Sequence, residues 1–175
     1  MAQPPEALLK TIRFLDAIGQ WSGRIVAWLV LPLVLGLTYE VISRYAFNAP
    51  TEWAYDTAYM LYGSHFMLGA GYCLLKKGHI RTDIFYEKWT PRRQGWVDAT
   101  SYLFLFFPGM FFFFLAGWDS ALHSWSIREV SEASPWRPAI YPFKMVVPVT
   151  AILLLLQGIS EFLKSTYAAL RGEWL

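Results

Sequence analysis

The sequence has one cysteine, three histidines and few charges, since only 16% of its 175 residues are Asp, Glu, Lys or Arg. The single thiol, Cys73, excludes an internal disulfide and a cysteine-based metal site. The chain has no Walker loop, no G-x-S-x-G elbow, no Gly-rich nucleotide turn and no metal-spaced His/Cys set. These absences leave catalysis, metal binding and a cofactor without support. The small net charge of +2 implies no nucleic-acid partner.

Hydrophobic residues are abundant: they make up 55% of the chain, aromatic residues make up 18%, and the mean hydropathy is +0.32. These values are typical of a membrane protein. Four apolar runs, at about 25–43, 53–75, 97–118 and 143–163, each approach the ~20 residues that a helix needs to cross a bilayer. Strands are excluded because alternation is absent and an open sheet leaves its backbone unpaired in lipid. We therefore predict an all-α integral membrane protein, a single domain over residues 1–175 with four transmembrane helices.

Two amphipathic segments accompany the apolar runs. In residues 6–22 apolar side chains recur at helical spacing between charged ones, which predicts an N-terminal helix that lies on the membrane surface and contacts lipid. Residues 80–89 predict a second surface helix between the second and third spans. The anchors predicted at this inner interface are His79, Arg81, Asp83 and Trp89.

The distribution of Lys and Arg predicts the orientation of the chain. Eleven lie in the N-terminal arm, between the second and third spans, and in the tail: Lys10, Arg13, Arg24, Lys76, Lys77, Arg81, Lys88, Arg92, Arg93, Lys164 and Arg171. Four lie on the other side: Arg44, Arg128, Arg137 and Lys144. Because cytoplasmic loops carry the excess of basic residues, both termini are predicted to be cytoplasmic. The connections at 44–52 and 119–142 then face outward.

Four charged residues lie at the outer ends of the first two spans: Glu40, Arg44, Glu52 and Asp56. A charge at the middle of a bilayer costs about 2.5–3.5 kcal/mol, so charges in or beside spans are the first candidates for function. The spacing predicts a salt-bridge network that fixes the packing of the two helices, with Arg44 against Glu52 or Asp56. A contact with an ion or with a partner protein is the alternative.

Two uncharged polar positions in the same region carry separate predictions. Thr51 is predicted to cap the N-terminus of the second span. His65 lies near the middle of that span, where a lone histidine is most often a hydrogen-bonded packing residue. A role in proton relay or ligand binding is the alternative.

The stretch from 44 to 83 resembles the small membrane subunit of tripartite ATP-independent periplasmic (TRAP) transporters. The resemblance rests on Arg44-Tyr45, Phe47-Asn48, Pro50, Glu52-Trp53, Gly69-Ala70, Gly78-His79-Ile80-Arg81 and Asp83, and on SPWRPAIYPFK at 134–144. The resemblance as a whole covers the four predicted spans and essentially the whole chain. The G-H-I-R-x-D segment is its most specific part.

This resemblance implies a non-catalytic scaffold in a bacterial inner membrane. In that family a large permease subunit binds the substrate, often an organic acid, and the coupling ion, usually Na⁺. A periplasmic binding protein delivers the substrate, and the small subunit supports the fixed part of the large one. The outer connection is then a candidate docking surface for the binding protein, with Arg128, Glu129, Glu132 and Arg137 available for charge contacts.

Two functions of other classes stay open on sequence grounds. One is a self-sufficient homodimeric four-span transporter that uses Asp56 or His65 as its proton-coupled residue. The other is the membrane anchor of a redox complex, although the three histidines are predicted at three different depths, which does not suit the ligation of one haem.

Overall fold

The computed structural model describes residues 4–78 and 86–175, and this part of the chain is built from helices. The helices are α1 (Glu6–Ala27), α2 (Val30–Ala46), α3 (Ala54–Leu75), α4 (Pro91–Ser101), α5 (Phe107–Ser126), α6 (Tyr141–Lys144) and α7 (Val146–Arg171), with a π-helical segment at Tyr102–Phe106 that joins α4 to α5. No strand occurs among the described residues, where the pairing of Val130 with Ala139 is an isolated bridge. The predicted all-α class is confirmed for these residues.

Three helical segments of the described chain are long and apolar enough to cross a membrane: Glu6–Ala46, Pro91–Ser126 and Tyr141–Arg171. Helix α3, which occupies the second predicted span, is not among them. It is 22 residues long, but its tyrosines, His65 and Asp56 lower its hydropathy. The structure therefore supports a helical membrane protein, and the fourth span stays a prediction.

The first helical segment is interrupted at Trp28 and Leu29, inside the first predicted span. Pro32 lies four residues after Trp28, and its ring has no N–H to donate to the Trp28 carbonyl. That carbonyl instead accepts from the N–H of Leu31 at 3.2 Å. Helix α1 continues through residues 22–25, where the sequence suggested a boundary between a surface arm and a span. How α1 lies relative to a bilayer stays a prediction.

Helix α7 is the centre of the bundle, because α1, α3, α4 and α5 all pack on it. Helix α2 packs on α3 and buries none of its residues. The first half of α1, residues 76–78, the beginning of α4 and the C-terminus lie at one end of the bundle, which we call the terminal end. The connections at 47–53 and 127–140 lie at the other end, which we call the loop end.

Small residues bring α4 very close to α7. A Cβ atom on Gly95 would lie 2.4 Å from the backbone nitrogen of Ala169 and 2.6 Å from the carbonyl oxygen of Ser165. Ala168 and Ala169 are buried on the α7 side of this contact. Small side chains allow such backbone approach between membrane helices.

Candidate functional site

A cluster of polar side chains lies at the terminal end of the bundle, and three groups of polar contacts at its loop end hold the connections there. At the terminal end, Asp16 of α1 accepts hydrogen bonds from three side chains of α7. The Oδ1 atom accepts from Gln157 Nε2 at 3.0 Å, from Ser160 Oγ at 2.6 Å and from Lys164 Nζ at 3.1 Å. These bonds join helices whose residues are up to 148 positions apart in the sequence.

Lys164 lies between two carboxylates of this terminal cluster. Its Nζ is 2.9 Å from Asp16 Oδ2 and 2.8 Å from Glu161 Oε1. Glu161, Ser160 and Gln157 are almost fully buried. The lysine therefore supplies the positive charge that two neighbouring acids require, and the cluster serves as a helix-to-helix lock.

At the loop end, Glu40 of α2 holds the start of the 47–53 connection. Its carboxylate pairs with Arg44 one turn later, whose Nε donates at 2.8 Å. It also accepts from the backbone N–H of Thr51 at 2.9 Å and from the Thr51 hydroxyl. Because Thr51 precedes α3, these bonds tie the end of α2 to the beginning of α3.

Asp56, in the first turn of α3, is only 2% exposed and holds the 127–140 connection. Its Oδ1 accepts from Ser131 Oγ at 2.5 Å, and its Oδ2 accepts from the Ser134 hydroxyl. A carboxylate near a helix N-terminus is also stabilised by the helix dipole. Asp56 therefore joins α3 to a loop 75 residues later.

The same loop is closed by a salt bridge between Glu129 and Lys144, with Nζ 2.5 Å from Oε2. The hydrogen bond from the Lys144 ammonium lowers the pKa of Glu129 below its ordinary value. Backbone bonds from Ser131 to Pro138 and from Ile140 to Glu129 complete a short hairpin-like turn. The loop is therefore held to α6, which directly precedes α7.

Two predicted pairings are corrected. Arg44 does not contact Glu52 or Asp56, because Glu40 lies one turn away on the same helix and Asp56 is occupied by two serines. Glu52 is exposed. Thr51 does not cap α3, which begins at Ala54 after Trp53 and has no side-chain cap, since the Thr51 hydroxyl bonds to Glu40.

His65 is hydrogen-bonded at the contact of α3 with α1. Its Nδ1 lies 3.1 Å from the carbonyl oxygen of Val26, and its ring meets the edge of Phe66. The Val26 carbonyl lies at the end of α1, where Leu29 also donates to it. This geometry is that of a packing histidine at the interruption between α1 and α2.

The predicted anchors at the terminal end are described only in part. His79, Arg81 and Asp83 lie outside the described residues. Trp89 is 38% exposed and precedes α4. The predicted surface helix at 80–89 also falls largely outside the described residues, so it stays a prediction.

The candidate docking residues divide into two groups. Arg128, Glu132 and Arg137 are exposed, and none of them has an ion-pair partner in the described part of the chain. Glu129 is bonded to Lys144. Three of the four predicted residues are therefore available to a partner molecule.

Sequence reasoning missed the cluster at the terminal end. Its signal is a polar stripe at helical spacing at the end of the last apolar run and just after it, formed by Gln157, Ser160, Glu161 and Lys164. The pairing with Asp16 carries no local signal, since it depends on the tertiary packing of α1 on α7. Among the described residues, no group of three or more His, Cys, Asp or Glu is placed to hold a metal ion.

Residues 33–166 match the family model described as tripartite ATP-independent periplasmic transporters, DctQ component. The match includes α3, α4 and α5 entire and most of α2 and α7. It also includes Glu40, Asp56, Glu129 and the α7 half of the terminal cluster. No curated protein matches the chain.

Proposed function

The chain belongs to the DctQ family, the small permease component of TRAP transporters. From this membership we propose that it is the scaffold of its transporter. In this proposal it supports a large, ion-coupled permease subunit in a bacterial inner membrane and takes no direct part in chemistry. A periplasmic binding protein brings the substrate, an organic acid, to the assembled complex.

The scaffold proposal rests on one observation: five acidic side chains accept hydrogen bonds from other parts of the same chain. Asp16, Glu40, Asp56, Glu129 and Glu161 each accept a hydrogen bond from elsewhere in the chain. All these bonds join helix to helix, helix to loop or neighbouring turns. A substrate or ion site of a transporter requires polar groups that are free to bind cargo, whereas these groups hold the bundle together.

Reconstitution tests the scaffold proposal directly. We expect proteoliposomes that contain this chain with the large permease subunit and the binding protein to accumulate an organic acid when a Na⁺ gradient is imposed. Liposomes with this chain alone are expected to accumulate none. Uptake by this chain alone would overturn the proposal and favour the self-sufficient transporter.

The single native cysteine makes the proposed orientation testable. In a Cys73→Ser background, a cysteine is placed at the loop end by Glu132→Cys and at the terminal end by Glu173→Cys, both exposed positions. We expect a membrane-impermeant maleimide to label the first in intact spheroplasts and the second only after permeabilisation. The opposite pattern would reverse the proposed topology.

The exposed charges of the loop end support a docking role for the 127–140 connection. We propose that Arg128, Glu132 and Arg137 contact the periplasmic binding protein, whereas Glu129 shapes the loop through Lys144. Neutralising the three exposed charges together is expected to raise the concentration of binding protein needed for half-maximal uptake. An unchanged concentration dependence would remove this surface from the proposal.

A further inference from the structure

A cavity of about 590 Å³ lies at the terminal end, beside the beginning of α4. It is lined by Trp89, Thr90, Arg92, Arg93, Trp96 and Val97. Both arginines are exposed, and neither has an ion-pair partner in the described part of the chain. Among the described residues no acidic side chain lines the cavity, and the two arginines give this lining a positive charge.

Hydrogen bonds next to the cavity fix the segment that leads into α4. Gln94 Nε2 donates to the carbonyl oxygen of Tyr86 at 2.9 Å, and the Tyr86 hydroxyl donates to Asp98 at 2.6 Å. These bonds hold the segment before Trp89 against α4. Trp174 of the C-terminus donates to Gln94 and reinforces the same contact. The bonds therefore hold Trp89 near the beginning of α4, where it lines the cavity together with Arg92 and Arg93.

Helix α4 buries its small residues and exposes its large ones. Gly95 and Ala99 are buried, with Gly95 in backbone contact with α7, whereas Arg92, Arg93 and Trp96 are exposed. Indole rings favour the headgroup region of a bilayer. Arginine forms bidentate hydrogen bonds with phosphate, and basic pockets on the cytoplasmic side bind anionic lipid headgroups.

We propose that this cavity binds the headgroup of an anionic phospholipid of the cytoplasmic leaflet, with Arg92 and Arg93 on the phosphate and Trp89 and Trp96 beside the glycerol. The proposal rests on the proposed function, because it requires the terminal end to face the cytoplasmic leaflet. The proposal adds a ligand site. The residues that line it are not part of the terminal cluster or of the polar contacts at the loop end.

The test uses the purified full chain in detergent, titrated with dioleoylphosphatidylglycerol or with dioleoylphosphatidylcholine, with bound lipid counted by native mass spectrometry. We expect the phosphatidylglycerol to bind on the order of tenfold more tightly, as two basic residues near one headgroup predict. Inorganic phosphate forms a third arm. If it competes as effectively as the lipid, the site recognises free phosphate and the proposal is wrong.

Matched variants decide whether the preference comes from this cavity. Arg92→Gln/Arg93→Gln is expected to abolish the preference, and Arg92→Lys/Arg93→Lys to retain most of it. The control, Arg13→Gln/Arg171→Gln, removes the same charge from exposed positions outside the cavity and is expected to retain it. An undiminished preference in the first variant, or an equal loss in the control, overturns the proposal.

Two further outcomes distinguish the lipid site from a protein contact and from the scaffold function. If the Arg92→Gln/Arg93→Gln chain keeps its lipid preference but no longer co-purifies with the large permease subunit, the face is a protein contact and the lipid proposal is wrong. The lipid measurement uses this chain alone. A failed uptake assay with a preserved lipid preference therefore refutes the scaffold function and leaves the lipid site standing.

Discussion

Helices α7 and α2 are both apolar, yet they occupy opposite places in the bundle. Helix α7 buries eleven residues, and several of them are polar: Thr150, Gln157, Ser160, Glu161 and Ser165. Helix α2 buries none of its residues. Several of its large apolar side chains are at least half exposed, among them Leu31, Val34, Leu35 and Ile42. Burial in this chain therefore does not follow hydrophobicity.

The difference follows from the solvent of a membrane protein. Lipid tails are as apolar as leucine, so an apolar side chain gains little by leaving lipid for the protein interior. A polar side chain has no partner in lipid and must find one inside the bundle. Helix α7 is central because its polar stripe and its small residues have partners inside the bundle. Helix α2 directs its polar contacts, from Glu40 and Ser43, to the connection that follows it.

The largest expected effect tests the close contact of α7 with α4. In Gly95→Ala the new methyl group would lie within 2.6 Å of backbone atoms of α7, which cannot move as a flexible side chain would. We expect a loss of about 3 kcal/mol in the free energy of unfolding, or failure to assemble. Thermal unfolding of the detergent-purified chain measures it.

The control for this substitution is Gly69→Ala on α3, where a Cβ atom would meet nothing within 4 Å. It is expected to change stability little. If both substitutions changed the free energy of unfolding equally, α4 and α7 would be able to separate without cost. The close contact at Gly95 would then not explain why α7 lies at the centre of the bundle.

The next effect concerns the polar contact of α7 with α1. Asp16→Ala removes the acceptor of Gln157, Ser160 and Lys164 at once. The buried hydroxyl of Ser160 would lose its acceptor, and Gln157 would keep only its longer bond to Glu161 at 3.4 Å, so we expect a cost of about 2 kcal/mol. Lys164 keeps its bond to Glu161, which limits the loss.

The matched control is Glu6→Ala, which removes an acid of the same helix whose partner, Lys10, is exposed. Its unfolding temperature should equal that of the wild type. The double variant Asp16→Lys/Lys164→Asp should recover part of the loss through the reversed pair. If Glu6→Ala and Asp16→Ala were equally destabilising, the effect would come from helix charge and not from the terminal cluster.

A smaller and local effect is expected on α2. In Glu40→Ala the backbone N–H of Thr51 loses its 2.9 Å acceptor. Hydrogen exchange of the peptide that spans residues 47–53 should accelerate, while peptides of α7 should keep their wild-type rates. Glu52→Ala, an exposed acid in the same connection, should leave both unchanged. Acceleration that spread into α7 would show that α2 is part of the core after all.

The sequence predicted that the apolar runs are helical, but it did not predict the break at Trp28 and Leu29 or the polar partners of the helices. The run at 53–75 became α3 almost residue for residue, because length and composition suffice to define a helix. Arg44 was paired wrongly because the acid on its own helix, Glu40, competes with acids across a turn. The bonds of Asp56 to Ser131 and Ser134 were not predictable, since serines in a surface loop give no signal of where the loop folds back.

The smallest expected effect is the pH dependence of the loop that leads into α7. The pKa of Glu129 is lowered in the folded chain by the hydrogen bond from Lys144. Its contribution to stability is therefore present above the ordinary glutamate value of about 4.3 and is lost as the pH falls through the lowered folded value. We expect Glu129→Gln to unfold at a lower temperature than the wild type at pH 7, with the difference shrinking below about pH 4.

Glu132→Gln provides the comparison for this last measurement, because Glu132 lies in the same loop, is exposed and has no ion pair among the described residues. Its unfolding temperature should follow that of the wild type at every pH. A gap between Glu129→Gln and the wild type that persisted in acid would mean that Lys144 does not depend on the charge of Glu129. The loop would then be held to α3 by Asp56 and closed by its own backbone bonds, with no contribution from the charged pair.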